Sequence, residues 1–146
     1  MPLRDSRCVI PATEARDDLA GYHGRYLRID AASGDCCVPL APEVLRCFLG
    51  GVGLGTWILA HETAPGLQPL QEQSSLVFAL SPLVGTPLTT SAKFAIVAFS
   101  PLTGRICDAL SSSHFALAAK RAGVDAIAIT GACAEPSIVF IEGSES

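Results

Sequence analysis

Residues 81–115 read SPLVGTPLTTSAKFAIVAFSPLTGRICDALSSSHF and write one corner twice. Ser81-Pro82-Leu83-Val84-Gly85 is the first copy and Ser100-Pro101-Leu102-Thr103-Gly104 the second, with the apolar run FAIVAF (94–99) between them. Proline fixes φ and glycine supplies a permissive position, so each copy ends a strand and turns the chain. Hydroxyls follow both corners. Thr86, Thr89, Thr90 and Ser91 precede Lys93, and Ser111, Ser112 and Ser113 lie between Asp108 and His114. Side-chain hydroxyls and loop amides beside glycine corners suit a polar heterocycle or a phosphate ester, with Lys93 as the single cation. The same polarity also suits a plain solvated loop.

Working outward, GYHGRYLRID (21–30) alternates with period two and carries aromatics, which predicts a strand. Ser33-Gly34-Asp35 predicts a turn, and Cys36–Leu40 a returning strand that completes a hairpin. Pro42 suits the first turn of a short helix with Val44, Leu45, Phe48 and Leu49 on its apolar side, ended by Gly50-Gly51. A second helix is expected from about Leu54 to Glu62, stopped before Pro65. LVFAL (76–80), FAIVAF (94–99), AIAIT (126–130) and SIVFI (137–141) are short apolar runs of strand length. A third helix is expected from about Ser113 to Ala122, with Gly123 as its left-handed stop. Many strands, three short helices and no regular βαβ alternation predict an α+β fold with a mixed sheet.

Composition bounds the partners. The 146 residues carry a net charge of −4 and no run of Lys or Arg, which argues against nucleic acid. Apolar stretches are broken by Pro, Gly, Ser and Thr before reaching the ~20 residues of a membrane span. Residues 1–20 mix Arg4, Asp5, Arg7, Glu14, Arg16, Asp17 and Asp18, so they read as a loosely ordered leader rather than a signal peptide, and the expected location is cytoplasmic. Hydrophobic residues reach 49% while charged ones fall to 16%, below the usual ~25%. Either part of the surface is covered by another polypeptide or ligand, or Ala and Gly dilute the charge.

Most motif-like features fail on spacing. In Gly50-Gly51-Val52-Gly53-Leu54-Gly55, Thr56 and Ile58 occupy the third glycine positions of a dinucleotide fingerprint, and the run follows a helix instead of a strand. So many glycines still imply a close approach, by a neighbour or by a ligand at the next helix start. His61-Glu62 lacks the second histidine of a zinc helix, because Pro65 stands there. Six cysteines (8, 36, 37, 47, 107 and 133) contain no C-x-x-C pair and read as buried or idle thiols. No nucleophile–base spacing and no paired carboxylates stand out, so neither a catalytic residue nor a protein metal ligand is expected.

Taken in order, GYHGRYLRID, PEVLRCFLGGVGLG, SPLVGT, FAIVAFSPLTG, HFALAAKRAGVDAIAITG and the closing Pro136-Ser137-Ile138-Val139-Phe140-Ile141 resemble the N-terminal domain of the tungsten-dependent aldehyde:ferredoxin oxidoreductases. The likeness runs from Gly21 to Glu142 and implies a pterin-cradling domain over residues 21–146. It also implies mixed β-sheets built from two intertwined similar repeats with a few short helices, the doubled corner serving each half. In that family a tungsten (or molybdenum) held by two pterins lies on this domain. Later domains supply a [4Fe–4S] cluster that passes electrons to ferredoxin, so the resemblance implies partners carrying those domains on a separate chain. It implies cofactor contacts at Gly51, Gly53, Lys93, Ser111 and Ser112. Val52 and Lys93 stand where the family usually has a basic residue and an arginine, and Leu110-Ser111-Ser112-Ser113 stands where it usually has Asn-Ser-Gly-Gly. A second reading is therefore a non-catalytic binding or assembly module, or a truncated relic, that kept the fold and lost the cofactor.

Overall fold

The computed structural model describes residues 20–142. Apart from Ala20, the expected leader lies outside the described residues, as does Cys8. The elements run β1 (Arg25–Asp30), β2 (Gly34–Pro39), α1 (Pro42–Phe48), α2 (Gly51–Glu62), β3 (Leu76–Leu80), β4 (Lys93–Phe99), β5 (Ile106–Ser112), α3 (His114–Arg121) and β6 (Ala126–Thr130). The six strands form one sheet in the order β2-β1-β6-β3-β4-β5. β1 pairs parallel with β6, and every other neighbour is antiparallel. This is the mixed-sheet α+β fold that the element pattern predicts.

Both faces of the sheet are apolar, so helices are needed on each. α1 and α2 cover one face, where Leu45, Leu54, Ile58 and Leu59 close on Val77, Ala79, Ala95, Val97, Ala126 and Ala128. α3 covers part of the other, where Ala116 and Ala119 meet Leu80, Phe94 and Ile127. The strands facing both layers read as unbroken apolar runs, as expected when neither face meets water. α2 buries Leu54, Gly55, Ile58 and Leu59. Its middle comes close to the sheet because Gly55 has no side chain: a Cβ there would stand 2.6 Å from Val97 Cγ2 and 3.3 Å from Ala79 Cβ.

The β1–β2 hairpin forms as expected, with Arg28 opposite Cys36 and Asp30 opposite Gly34. Asp30 Oδ1 accepts the amides of Ala32 and Ser33, and Gly34 takes the left-handed side of the turn at φ 109°. The doubled corner joins consecutive strands of a meander. Its first copy leaves β3 and its second turns β4 into β5, with Gly85 and Gly104 at φ 86° and 65°. In the second, Gly104 N donates to Ser100 O at 2.8 Å and Ser100 N to Arg105 O at 2.8 Å.

Three expectations are corrected. Gly51 does not end the first helix but begins α2, which starts three residues earlier than Leu54; Leu49 (φ 55°) and Gly50 make the corner. Ile106–Ser112, read as a hydroxyl-bearing loop, is strand β5: the second corner brings it back along the open edge of β4, whose amides and carbonyls need partners. SIVFI (137–141) is not a strand, because no neighbour within the described residues offers it a ladder. Its Ile138 and Phe140 side chains are 93% and 78% exposed.

Candidate cofactor site at one end of the sheet

The antiparallel register gathers several segments at one end of the sheet. Leu80, the last residue of β3, pairs with Phe94, and Lys93, the first of β4, pairs with Ser112, the last of β5. The Ser81–Gly85 corner leaves from the same end, and α2 begins beside it. A Cβ on Gly50 would sit 2.6 Å from the Leu80 carbonyl and 2.9 Å from Pro82 Cδ, so the entry to α2 rests directly on the corner. α3 starts here too, capped by Ser113 Oγ, which accepts from Phe115 N at 3.1 Å.

Two of the expected contact residues meet: Lys93 Nζ donates to Ser112 Oγ at 3.1 Å on an exposed surface. Gly51 opens α2 at φ 56°, with nothing within 4 Å of where its side chain would stand, so its backbone borders open space. Gly85, at φ 86°, is equally open. Gly53 differs: the space of its missing side chain is taken by the Phe48 carbonyl, 2.6 Å away. Ser111 alternates to the opposite face from Lys93 and Ser112, across from Phe94. Val52 packs against the α1/α2 core cluster instead of standing free. His114, the first residue of α3, is exposed.

Sequence reading missed the group that braces this end. Asp125, 1% exposed, accepts from His23 N (2.9 and 3.1 Å) and Gly24 N (2.7 Å) and forms a 2.7 Å ion pair with Lys120 Nζ. Those bonds hold residues 21–24 in place, and Gly21 lies against the corner so closely that a Cβ would meet the Pro82 carbonyl at 2.8 Å. Pro82 is thus lodged between Gly21 and Gly50. Burial, and then the nearby Lys120 charge, push the His23 imidazole below its ordinary pKa. The available signal was Lys120 and Asp125 flanking the Gly123 helix stop, which puts both at one helix end.

A second polar cluster closes the far end of α2. Tyr26 Oη donates to Glu62 Oε1 at 2.5 Å, and Arg28 Nε to Glu62 Oε2 at 2.6 Å. Burial and the Glu62 carboxylate raise the Tyr26 phenol well above its ordinary pKa. Among the described residues, no group of three or more His, Cys, Asp or Glu side chains could hold a metal ion. Cys36, Cys47, Cys107 and Cys133 are free thiols at the surface, not buried, and Cys37 is half-buried. No helix within the described residues is long and apolar enough to cross a membrane.

Comparison with known proteins gives this end of the sheet a context. Residues 26–146 match the family described as aldehyde ferredoxin oxidoreductase, N-terminal domain. The tungsten-containing aldehyde ferredoxin oxidoreductase of Pyrococcus furiosus is 36% identical over 125 residues, covering 85% of this chain and 21% of that protein. From the same organism, an aliphatic sulfonate oxidoreductase WOR-like subunit is 35% identical over 127 residues, covering 84% of this chain and 20% of that protein. The chain therefore spans about a fifth of the length of these curated relatives. Among solved structures, a chain of the active-site complex BamBC of benzoyl coenzyme A reductase with 1,5-dienoyl-CoA superposes with a TM-score of 0.74. It is 28% identical, and the match covers 80% of this chain and 18% of that one. Matched along residues 26–146, which here fold as a mixed six-stranded sheet, the chain belongs to the aldehyde ferredoxin oxidoreductase family, to its N-terminal domain.

Proposed function

We propose that this chain is the cofactor-cradling part of a tungsten or molybdenum bis-pterin oxidoreductase, incomplete alone, which oxidises aldehydes to acids with ferredoxin as acceptor. The observation that carries the reading is the Lys93–Ser112 pair at the same sheet end as the α2 N-terminus. That donor set fits the group in part. Lys93 offers a cation for a phosphate oxygen, Ser112 a hydroxyl for a polar ring atom, and Gly51 bare backbone that a flat ligand can approach. Ser111 and Gly53 contribute less, the one by its face and the other because Phe48 fills its free space. When bound, the metal–pterin group supplies the two-electron chemistry that turns an aldehyde and water into an acid. This chain's own share is to bind and orient it. Asp125, through residues 21–24, keeps the Pro82 corner from moving. The [4Fe–4S] cluster and much of the substrate pocket belong, in this reading, to other domains on a separate chain in the cytoplasm. The two-repeat organisation is proposed with it on the family resemblance alone, since both copies of the corner fall in one meander of one sheet.

A second reading has one observation in its favour. Val52, where the family usually has a basic residue, is turned into the core, and a chain without that cation suits an assembly module that lost its cofactor. Metal and pterin analysis of protein purified from its native host separates the two. Near-stoichiometric tungsten or molybdenum with pterin, falling at least tenfold in Lys93→Ala, supports cradling. A stable complex free of both overturns it and leaves the assembly module.

A further inference from the structure

Among the described residues, β5 is an open edge with a definite chemical pattern: it terminates the sheet, and all seven of its residues are exposed. The bonds flanking the β4–β5 ladder give its phase: Ser100 N donates to Arg105 O, and Ser113 N to Ala92 O. Residues 105 and 113 therefore direct their backbone toward β4. By the two-residue alternation of antiparallel pairs, so do 107, 109 and 111. Ile106, Asp108, Leu110 and Ser112 are left with amide and carbonyl groups pointing outward. Their side chains share one face, the one Lys93 and Ala95 occupy on β4. Ile106 and Leu110 are 43% and 70% exposed, and Asp108, the strand's one charge, has no hydrogen-bond or ion-pair partner among the described residues.

Natural edges are usually blunted by charged side chains, above all lysine, by proline or by a bulge. β5 has no lysine, proline or bulge and a single charge, Asp108: its register with β4 is unbroken over seven residues and its sequence is ICDALSS. An edge left in that state pairs readily with another strand. We infer that the outer edge of β5 is a docking site for an extended strand of the remaining oxidoreductase polypeptide, one that sets a Lys or Arg between two apolar residues at alternate positions. The cation answers Asp108 and the apolar pair answers Ile106 and Leu110. The relatives explain why such a polypeptide is expected, because the matched region is only about a fifth of their length. This inference rests on the reading of the chain as one part of a larger oxidoreductase. It adds where the parts join, beside the Ser112 end of the candidate site.

The test uses the full 146-residue chain, affinity-tagged, in its native host. A photo-crosslinking residue placed at Leu110 maps the segment that touches it, and two variants interrogate the edge. Leu110→Pro removes an outward amide without touching a β4 ladder bond, and Asp108→Lys reverses the charge. The expected crosslink falls in an apolar–basic–apolar strand of a polypeptide that aligns with the rest of the relatives. Both variants should lower its recovery at least tenfold while the melting temperature of the chain stays within a few degrees. If that polypeptide is recovered equally with both variants, or is crosslinked elsewhere, the docking inference falls and the larger-enzyme reading stands. If the wild-type chain retains no oxidoreductase polypeptide, both fall. A crosslink to a second copy of the chain, with dimers lost in Leu110→Pro, also overturns the inference, because self-pairing then occupies the edge.

Discussion

Replacing Gly55 by alanine should destabilise this protein, although alanine is the better helix former. Gly55 sits inside α2 with no positive φ, so backbone strain is not at issue. On an open helix the change would gain ~1 kcal/mol. Here the new methyl would stand 2.6 Å from Val97 Cγ2 and 3.3 Å from Ala79 Cβ. Val97 is fully buried and branched at Cβ, so it cannot swing aside, and overpacking of this kind costs ~1–3 kcal/mol. Set against the helix gain, the net expectation is a loss of ~1 kcal/mol, the middle of a ~0–2 kcal/mol range, or about 0.5 M in the urea midpoint for a slope near ~2 kcal/mol/M. Removing the obstacle should reverse the sign. Val97→Ala alone costs ~2 kcal/mol through its cavity. In that background Gly55→Ala meets only Cβ atoms at 3.3 Å, which can give slightly, and should add ~0.5 kcal/mol. Urea unfolding of the four proteins under reducing conditions completes the cycle, with a coupling of ~1.5 kcal/mol or more. Equal effects of Gly55→Ala in both backgrounds, or a wild-type background that gains stability, would refute the close approach of α2 to β3 and β4.

Asp125→Asn removes the buried charge that pairs with Lys120 and should cost ~3 kcal/mol, read as a melting temperature about 6–12 °C lower. His23 links stability to acid. Its pKa is lowered by folding, so the unfolded chain binds the proton more readily, and stability should fall as pH drops below about 6.5. His23→Gln should flatten the part of that pH dependence between pH 7 and 5, as followed by urea midpoints. Tyr26 acts at the other extreme. Its raised pKa means that the folded state holds the proton longer, so its stabilisation is complete below about pH 10 and is lost above it. Alkaline titration should show a steeper stability loss above pH 10 in wild type than in Tyr26→Phe.

How much was legible in the sequence is clearest at particular residues. The β1–β2 hairpin, β3, β4, β6 and α3 were readable because period-two alternation, short apolar runs and a hydroxyl cap before a Gly stop are local signals. Of the candidate site, the Ser81–Gly85 corner, Lys93 and the glycine run could be named, but not their arrangement, and the second corner falls at the opposite end of the sheet. Only the antiparallel register puts Ser112 against Lys93 and sends Ser111 to the other side. The glycine run invited a ligand; the fold shows Gly50, Gly53 and Gly55 making room for Leu80, Phe48 and Val97.

By itself, then, the sequence determined the mixed α+β composition, the family likeness and the absence of a dinucleotide or zinc motif, since each follows from residues near one another in the chain. Tertiary structure decided the rest. ICDALSS carries too little apolar alternation to announce a strand, yet it becomes β5 because β4 presents unpaired backbone that must be satisfied. SIVFI has the apolar content of a strand and remains outside the sheet because no ladder reaches it among the described residues. Strand formation depends on a neighbour as well as on propensity, and that neighbour is distant in the chain.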